Sequence, residues 1–192
     1  MSTYEFNGKK YEQASRHQKE WGQKLLSDLH LSGKESILDL GCGDGVLTEQ
    51  LSMLVPDGSV FGIDASIGMI NTAKKREKEN LQFLHMDMPD MSFVNKFDVI
   101  YSNAALHWVK DHSRLLSQSH SALKPGGKIL WNFAGEGNCS DFFEIIRNMI
   151  HTEPYKKYFH SFQSWYRQSP APFPVGKFYA THYSASRDVR RY

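Results

Sequence analysis

The amino-acid sequence predicts an α/β protein with a doubly wound, mostly parallel sheet. Three observations carry that reading. Short apolar segments recur about two dozen residues apart, segments of helical period lie between them, and glycine or acidic residues follow directly on several of the apolar segments. Parallel strands covered on both faces run nearly continuously in Val, Ile, Leu and Phe, and each connection between them needs a right-handed helical crossover.

In chain order, the first element is a helix with the stripe Tyr11, Ser15, Gln18, Trp21, Leu25 and Leu29, polar at one end and apolar at the other. Strands are expected at Ser36 to Leu40, Ser59 to Ile63, Leu81 to Met86, Phe97 to Ser102 and Lys128 to Phe133. Leu47, Leu51, Leu54 and Val55 give the second helix an apolar face. A third helix, capped by Ser66, runs through Met69, Ile70 and Ala73 into the charged stretch Lys74 to Glu79, read as a solvated helix end. Leu115, Leu116, Ser119, Ala122 and Leu123 mark the next face, and Lys124-Pro125-Gly126-Gly127 is the turn that opens the fifth strand. A last helix, capped by Ser140 or Asp141, is expected to bury Phe142, Ile145, Ile146, Met149 and Ile150.

At 192 residues and 40% hydrophobic content the chain suits one domain. No apolar run reaches the roughly 20 residues of a membrane span, and the polar start has no secretory layout. Cys42 and Cys139 build neither a disulfide framework nor a metal-ligand spacing, so a cytoplasmic protein without a metal is expected. Charge is uneven. Residues 1–153 hold 16 Lys/Arg and 20 Asp/Glu, a balance of −4, whereas 154–192 hold 7 and 1, a balance of +6. That aromatic, Pro-containing, basic end is set apart from residues 1–153; a solvated end is the ordinary reading, a nucleic-acid or membrane partner the sharper one.

In a doubly wound sheet the ligand sits at the carboxyl ends of the strands. There the first strand runs into Gly41-Cys42-Gly43-Asp44-Gly45, whose glycines permit a tight turn and whose amides, at a helix start, could take an anionic group. A dinucleotide fingerprint wants glycine where Val46 stands, and Asp39 and Asp44 would repel a pyrophosphate. A ligand with an ammonium and a sulfonium centre is favoured, as in S-adenosylmethionine. Asp64, 23 residues beyond Gly41, is placed to accept from ribose hydroxyls. Asp87 could accept from an adenine amino group, with Met86 or Met88 on the ring face.

Leu38 to Gly45, Gly62-Ile63-Asp64, Asp87, Ser102 to Trp108 and Leu123 to Gly127 together resemble the class I, Rossmann-like S-adenosylmethionine-dependent methyltransferases. Within them the phrase Asn103 to Trp108, with Asp111-His112, is most similar to trans-aconitate methyltransferases. The resemblance implies that Asp39, Gly41, Cys42 and Gly43 bind the methionine part and that Asp64, beside Ala65, holds the ribose. Asp87 with Met86 or Met88 would take the adenine. Asn103 and Ala104 would line the methionyl side, while His107 and Trp108 face the acceptor. It further implies residues 1–153 as the cofactor domain, with the first helix as a lid that makes Tyr11 and Gln18 candidate contacts, and residues 154–192 as a cap. The acceptor would be a small molecule, a carboxylic acid by likeness to the nearest relatives. No nucleic acid is implied, because the Asn/Asp-Pro-Pro-aromatic signature is missing after the fourth strand.

The bland readings stand beside these. Asp64 could be only a helix cap, and His107 and Trp108 could simply pack. The family normally adds two more strands after the fifth, and here only Lys177 to Tyr183 reads as one. The expected sheet therefore lacks part of that hairpin, its fifth strand has an open edge suited to dimerisation, and a cofactor-binding but catalytically idle protein acting through a partner is an alternative. In another alternative, His107 is the general base of a small-molecule O- or N-methyltransferase.

Overall fold

The computed structural model describes residues 25–26, 29–133, 140–159 and 181–184. Tyr11, Gln18 and Cys139 lie outside them. Six strands form one sheet, β1 (Ser36–Leu40), β2 (Ser59–Asp64), β3 (Leu81–His85), β4 (Phe97–Asn103), β5 (Leu123–Asn132) and β6 (Thr181–Ser184), in the order β3-β2-β1-β4-β5-β6. The first five are parallel and β6 is antiparallel to β5. The order reverses between β1 and β4, the switch point at which such sheets hold ligands.

Alternation along each strand divides the core between the two faces. Ile37, Val60, Phe83, Val99 and Tyr101 pack with Leu51 and Val55 of α1 (Val46–Leu54) and with Ile70 and Ala73 of α2 (Ile67–Ala73). Leu25 and Leu26 join that cluster. Leu38, Leu40, Ile63, Ile100 and Ile129 pack on the other face with Leu115 and Ala122 of α3 (His112–Ala122). Helices on both faces explain why the central strands β1 and β4 are buried almost throughout. Among the described residues no helix is long and apolar enough to cross a membrane.

Three expectations are corrected. The stretch 124–127 belongs to β5 as a bulge: Phe97 pairs with Leu123 and Val99 with Lys128, so these residues stand opposite Asp98 alone, with Gly126 at φ 79°. Asp98 pins the bulge, its Oδ2 accepting from Lys124 Nζ at 2.7 Å and from the Ser36 amide at 2.8 Å. The edge of β5 is not open, because Lys128 to Trp131 pair with Ser184 to Thr181, which removes the proposed dimerisation edge on β5. The charged stretch after α2 is not merely solvated: Lys74–Arg76 form a 3₁₀ turn, and Arg76 and Glu77 bond to α1 and β3.

The described residues up to Phe133 form one compact unit with β6, and a second unit falls within Ala134–Lys177. The described part of that second unit is α4 (Ser140–Ile150) and α5 (Lys156–Phe159). On α4 the stripe expected to be buried is largely exposed, with Phe142 and Ile145 each at 58%. Periodicity defines an apolar face but not what covers it.

Candidate active site

β1 delivers Asp39 and then the glycine loop. Asp39 is 2% exposed, and its Oδ2 accepts the Thr48 hydroxyl of α1 at 2.7 Å. Burial pushes its carboxyl up to about 7; the Thr48 bond opposes that rise and the Asp64 charge adds to it. Gly41, Gly43 and Gly45 all have positive φ. A Cβ on Gly41 would overlap Ala105 Cβ and come within 2.9 Å of Met88 Cε, so the turns after β1, β3 and β4 meet only because that position has no side chain. Phe83 is the floor, its ring lying where a Cβ on Gly45 or Gly62 would sit, 2.7 Å away in each case.

The loop amides are largely committed inside the protein. Gly41 and Cys42 donate to the Ile63 carbonyl at 2.9 and 3.0 Å, Gly45 to the Cys42 carbonyl at 3.0 Å, Gly43 to Asp64 Oδ2 at 3.0 Å, and Val46 to Asp44 Oδ1 at 3.3 Å. The expectation that the loop offers these amides to a ligand carboxylate is therefore corrected. With the donors engaged and the carboxyls of Asp39, Asp44 and Asp64 close by, the loop suits a cationic group and disfavours a pyrophosphate. Cys42 is buried and its thiol is pushed up, by burial first and then by these carboxylates, which makes it a poor nucleophile.

Asp64, at the carboxyl end of β2, holds the Gly43 amide on Oδ2 and the Ser66 amide on Oδ1 at 2.8 Å. The cap of α2 is Ser66, whose Oγ accepts from the Met69 amide at 3.3 Å, so capping does not account for Asp64. Each Asp64 oxygen keeps a second lone-pair direction that could accept a ribose hydroxyl. Burial raises its pKa against the opposing pull of the two amide bonds. The Ala65 carbonyl accepts from His85 Nε2 at 2.9 Å, which gives His85 a structural partner.

Beyond β3, Asp87 is exposed and Met86 half-buried, while Met88 is 8% exposed in the core beneath Gly41. Of the two methionines, Met86 is the one with surface to offer a flat ring.

Past β4 the backbone turns at Ala104, a non-glycine residue at φ 55°. Asn132, at the end of β5, holds that turn twice. Its carbonyl accepts the Ala104 amide at 2.7 Å, and its Nδ2 donates to Asn103 Oδ1 at 2.9 Å. The 3₁₀ turn Leu106–Trp108 follows, anchored by buried Leu106, whose carbonyl accepts from His112 Nε2 at 3.1 Å. His107 is half-buried; its Nδ1 is buried without a hydrogen-bond partner among the described residues, and burial lowers its pKa. The imidazole is accordingly neutral near pH 7. Trp108 is 46% exposed, its ring centroid 5.4 Å from that of His107.

A family model described as a methyltransferase domain matches residues 37–127. The malonyl-[acyl-carrier protein] O-methyltransferase 1 of Ilyobacter polytropus is 31% identical over 157 residues, covering 80% of this chain and 58% of that protein. The trans-aconitate 2-methyltransferase of Deinococcus radiodurans is 43% identical over 91 residues, covering 47% of this chain and 34% of that protein. The solved Haemonchus contortus phosphoethanolamine N-methyltransferase 2, in complex with S-adenosyl-L-methionine, matches 73% of this chain and 32% of its own at 25% identity and a TM-score of 0.57. Residues 37–127 are thus similar to a methyltransferase domain, and the sheet has the Rossmann-like fold of the class I S-adenosylmethionine-dependent methyltransferases. The chain spans less than two thirds of the curated methyltransferases it matches.

Sequence reasoning missed several residues of this candidate site: Thr48, which holds Asp39, Asn132, which holds the β4 turn, and Phe83, which supports the loop. Thr48 carried a signal. A polar residue on the inward stripe of a helix needs a partner, and Thr48 is fully buried.

Proposed function

We propose that the chain transfers the methyl group of S-adenosylmethionine to an oxygen of a small carboxylic acid, in the cytoplasm and without a metal. When bound, the cofactor supplies an electrophilic methyl carbon on a sulfonium. The observation that carries the reading is the donor-spent glycine loop flanked by Asp39 and Asp64, which fits an ammonium and a sulfonium centre followed by a diol. In this assignment Asp39, Gly41, Cys42 and Gly43 surround the methionyl ammonium and Asp64 with Ala65 orients the ribose. Asp87 and Met86 take the adenine above Met88, while Asn103 and Ala104 line the methionyl chain. Tyr11 and Gln18 belong to the cover. His107 and Trp108 face the acceptor.

A carboxylate acceptor is already anionic at neutral pH, so the protein's contribution is alignment and exclusion of water. Two relatives named for malonyl and trans-aconitate substrates support an acid as the acceptor. A second reading rests on the neutral imidazole of His107, which could remove a proton from a hydroxyl or amine acceptor. Calorimetric titration with S-adenosylmethionine, then methyl transfer to a panel of small carboxylic acids by wild type and His107→Gln, tests all of this. Turnover on an acid that survives His107→Gln supports the first reading. Its near-complete loss in a folded variant supports the second, binding without turnover an idle protein acting through a partner, and absence of binding overturns the assignment.

A further inference from the structure

We infer that Arg76 is a positioning residue for the cofactor, holding the Asp44–Gly45 peptide in the orientation that shapes the glycine loop. The inference rests on the assignment of that loop to the cofactor. Arg76 ends the 3₁₀ turn that follows α2 and reaches across to the loop with two separate nitrogens. Its Nε donates to the Asp44 carbonyl at 3.2 Å, and its Nη1 pairs with Glu49 Oε2, in the first turn of α1, at 2.8 Å. The side chain is only 25% exposed.

The same peptide is held from its other edge, because the Gly45 amide donates to the Cys42 carbonyl at 3.0 Å. Carbonyl and amide of one peptide point in opposite directions, so the two bonds oppose rotation of that plane together. Such a restraint matters here more than elsewhere. Gly45, at φ 79°, tolerates either sign of φ, and nothing intrinsic to glycine prevents the plane from turning over. A turned plane would aim the Gly45 amide away from Cys42 and re-aim the start of α1 at Val46. The task suits arginine and not lysine, since a guanidinium presents Nε and Nη in a fixed fork whereas an ammonium is a single point. It also gives a function to one residue of a charged stretch otherwise read as solvent-facing.

The test uses the full chain with S-adenosylhomocysteine as the titrated ligand. Arg76→Gln and Arg76→Lys are both expected to raise Kd by about ten-fold, the scale of one charge-assisted hydrogen bond, with the change in turnover falling in the cofactor KM and not in kcat. Glu49→Gln, which keeps an acceptor for Arg76, is expected to raise Kd by less than about three-fold. In the unliganded Arg76→Gln chain, hydrogen exchange at the Gly45 amide is expected to speed up while β1 amides stay protected, which separates release of the loop from unfolding. Unchanged affinity in Arg76→Gln overturns the inference. So does a Glu49→Gln loss equal to that of Arg76→Gln, or full rescue by lysine, because either would make the effect one of charge pairing. A wild-type chain that binds no cofactor is a different result and overturns the site assignment itself.

Discussion

Asp39 keeps its carboxyl inside the fold, pushed up to about 7 by burial from an ordinary value of 3.8. An acid whose folded pKa lies above its unfolded value loses its proton first in the unfolded chain. This group therefore takes stability away as pH rises from about 4 through about 7, and the loss is complete above that. Asp39→Asn, which can still accept the Thr48 hydroxyl, is expected to raise Tm more at pH 8 than at pH 5 while weakening cofactor binding. Scanning calorimetry at both pH values checks this, and an equal shift at the two would contradict the burial argument. The residue scale is also where the sequence was most informative about chemistry. Asp39, Asp64 and Asp87 stood out as candidates because each lies at or just past the end of an apolar run, and such a run is legible as a strand. Thr48, Arg76 and Asn132 were not legible in the same way, since each acts through a partner that is near only in the folded chain.

Among the elements, the glycine loop and β3 depend on each other through Phe83. Gly45→Ala adds a methyl both at a left-handed φ and against that ring, and it should destabilise the chain by at least about 2 kcal/mol in urea denaturation. Phe83→Leu should cost less in the Gly45→Ala background than in wild type, because part of the overlap is already relieved; strict additivity would show that the ring is not the obstacle. A parallel case is the turn after β4. Asn132→Ala removes the Nδ2 bond to Asn103 but leaves the carbonyl that holds Ala104, so we expect about a 1 kcal/mol loss of stability and a larger, several-fold fall in turnover under saturating cofactor. Steady-state kinetics beside thermal melts would show whether the two effects separate. Both devices join residues distant in sequence, which is why periodicity found the elements and not the contacts that fix their ends.

For the whole molecule, the parallel sheet was legible because buried strands leave near-continuous apolar runs, and the observed strands fall within a residue or two of those runs except at β5. There a four-residue bulge hides a strand behind Pro125 and two glycines. The antiparallel β6 was expected as a possible strand, but its pairing with β5 could not be read from Thr181 to Ser184 alone. Truncation after residue 177 tests what that pairing does: it should uncover the β5 edge and shift the chain toward dimers or larger species in size-exclusion chromatography with light scattering. A monomer of unchanged Tm would mean that β6 contributes little.

The inward-turned amides of the glycine loop have a consequence for turnover. A loop wired to its own scaffold has its shape before any ligand arrives, so little order is lost on binding, and in the proposed assignment the loop and Asp64 face parts of the cofactor that methyl transfer leaves unaltered, the amino-acid head and the sugar. In the proposed reaction the demethylated product then fits almost as well as the donor it came from. Product and donor therefore compete for one site, and the pace of the enzyme in the cell depends on how quickly its surroundings clear that product away.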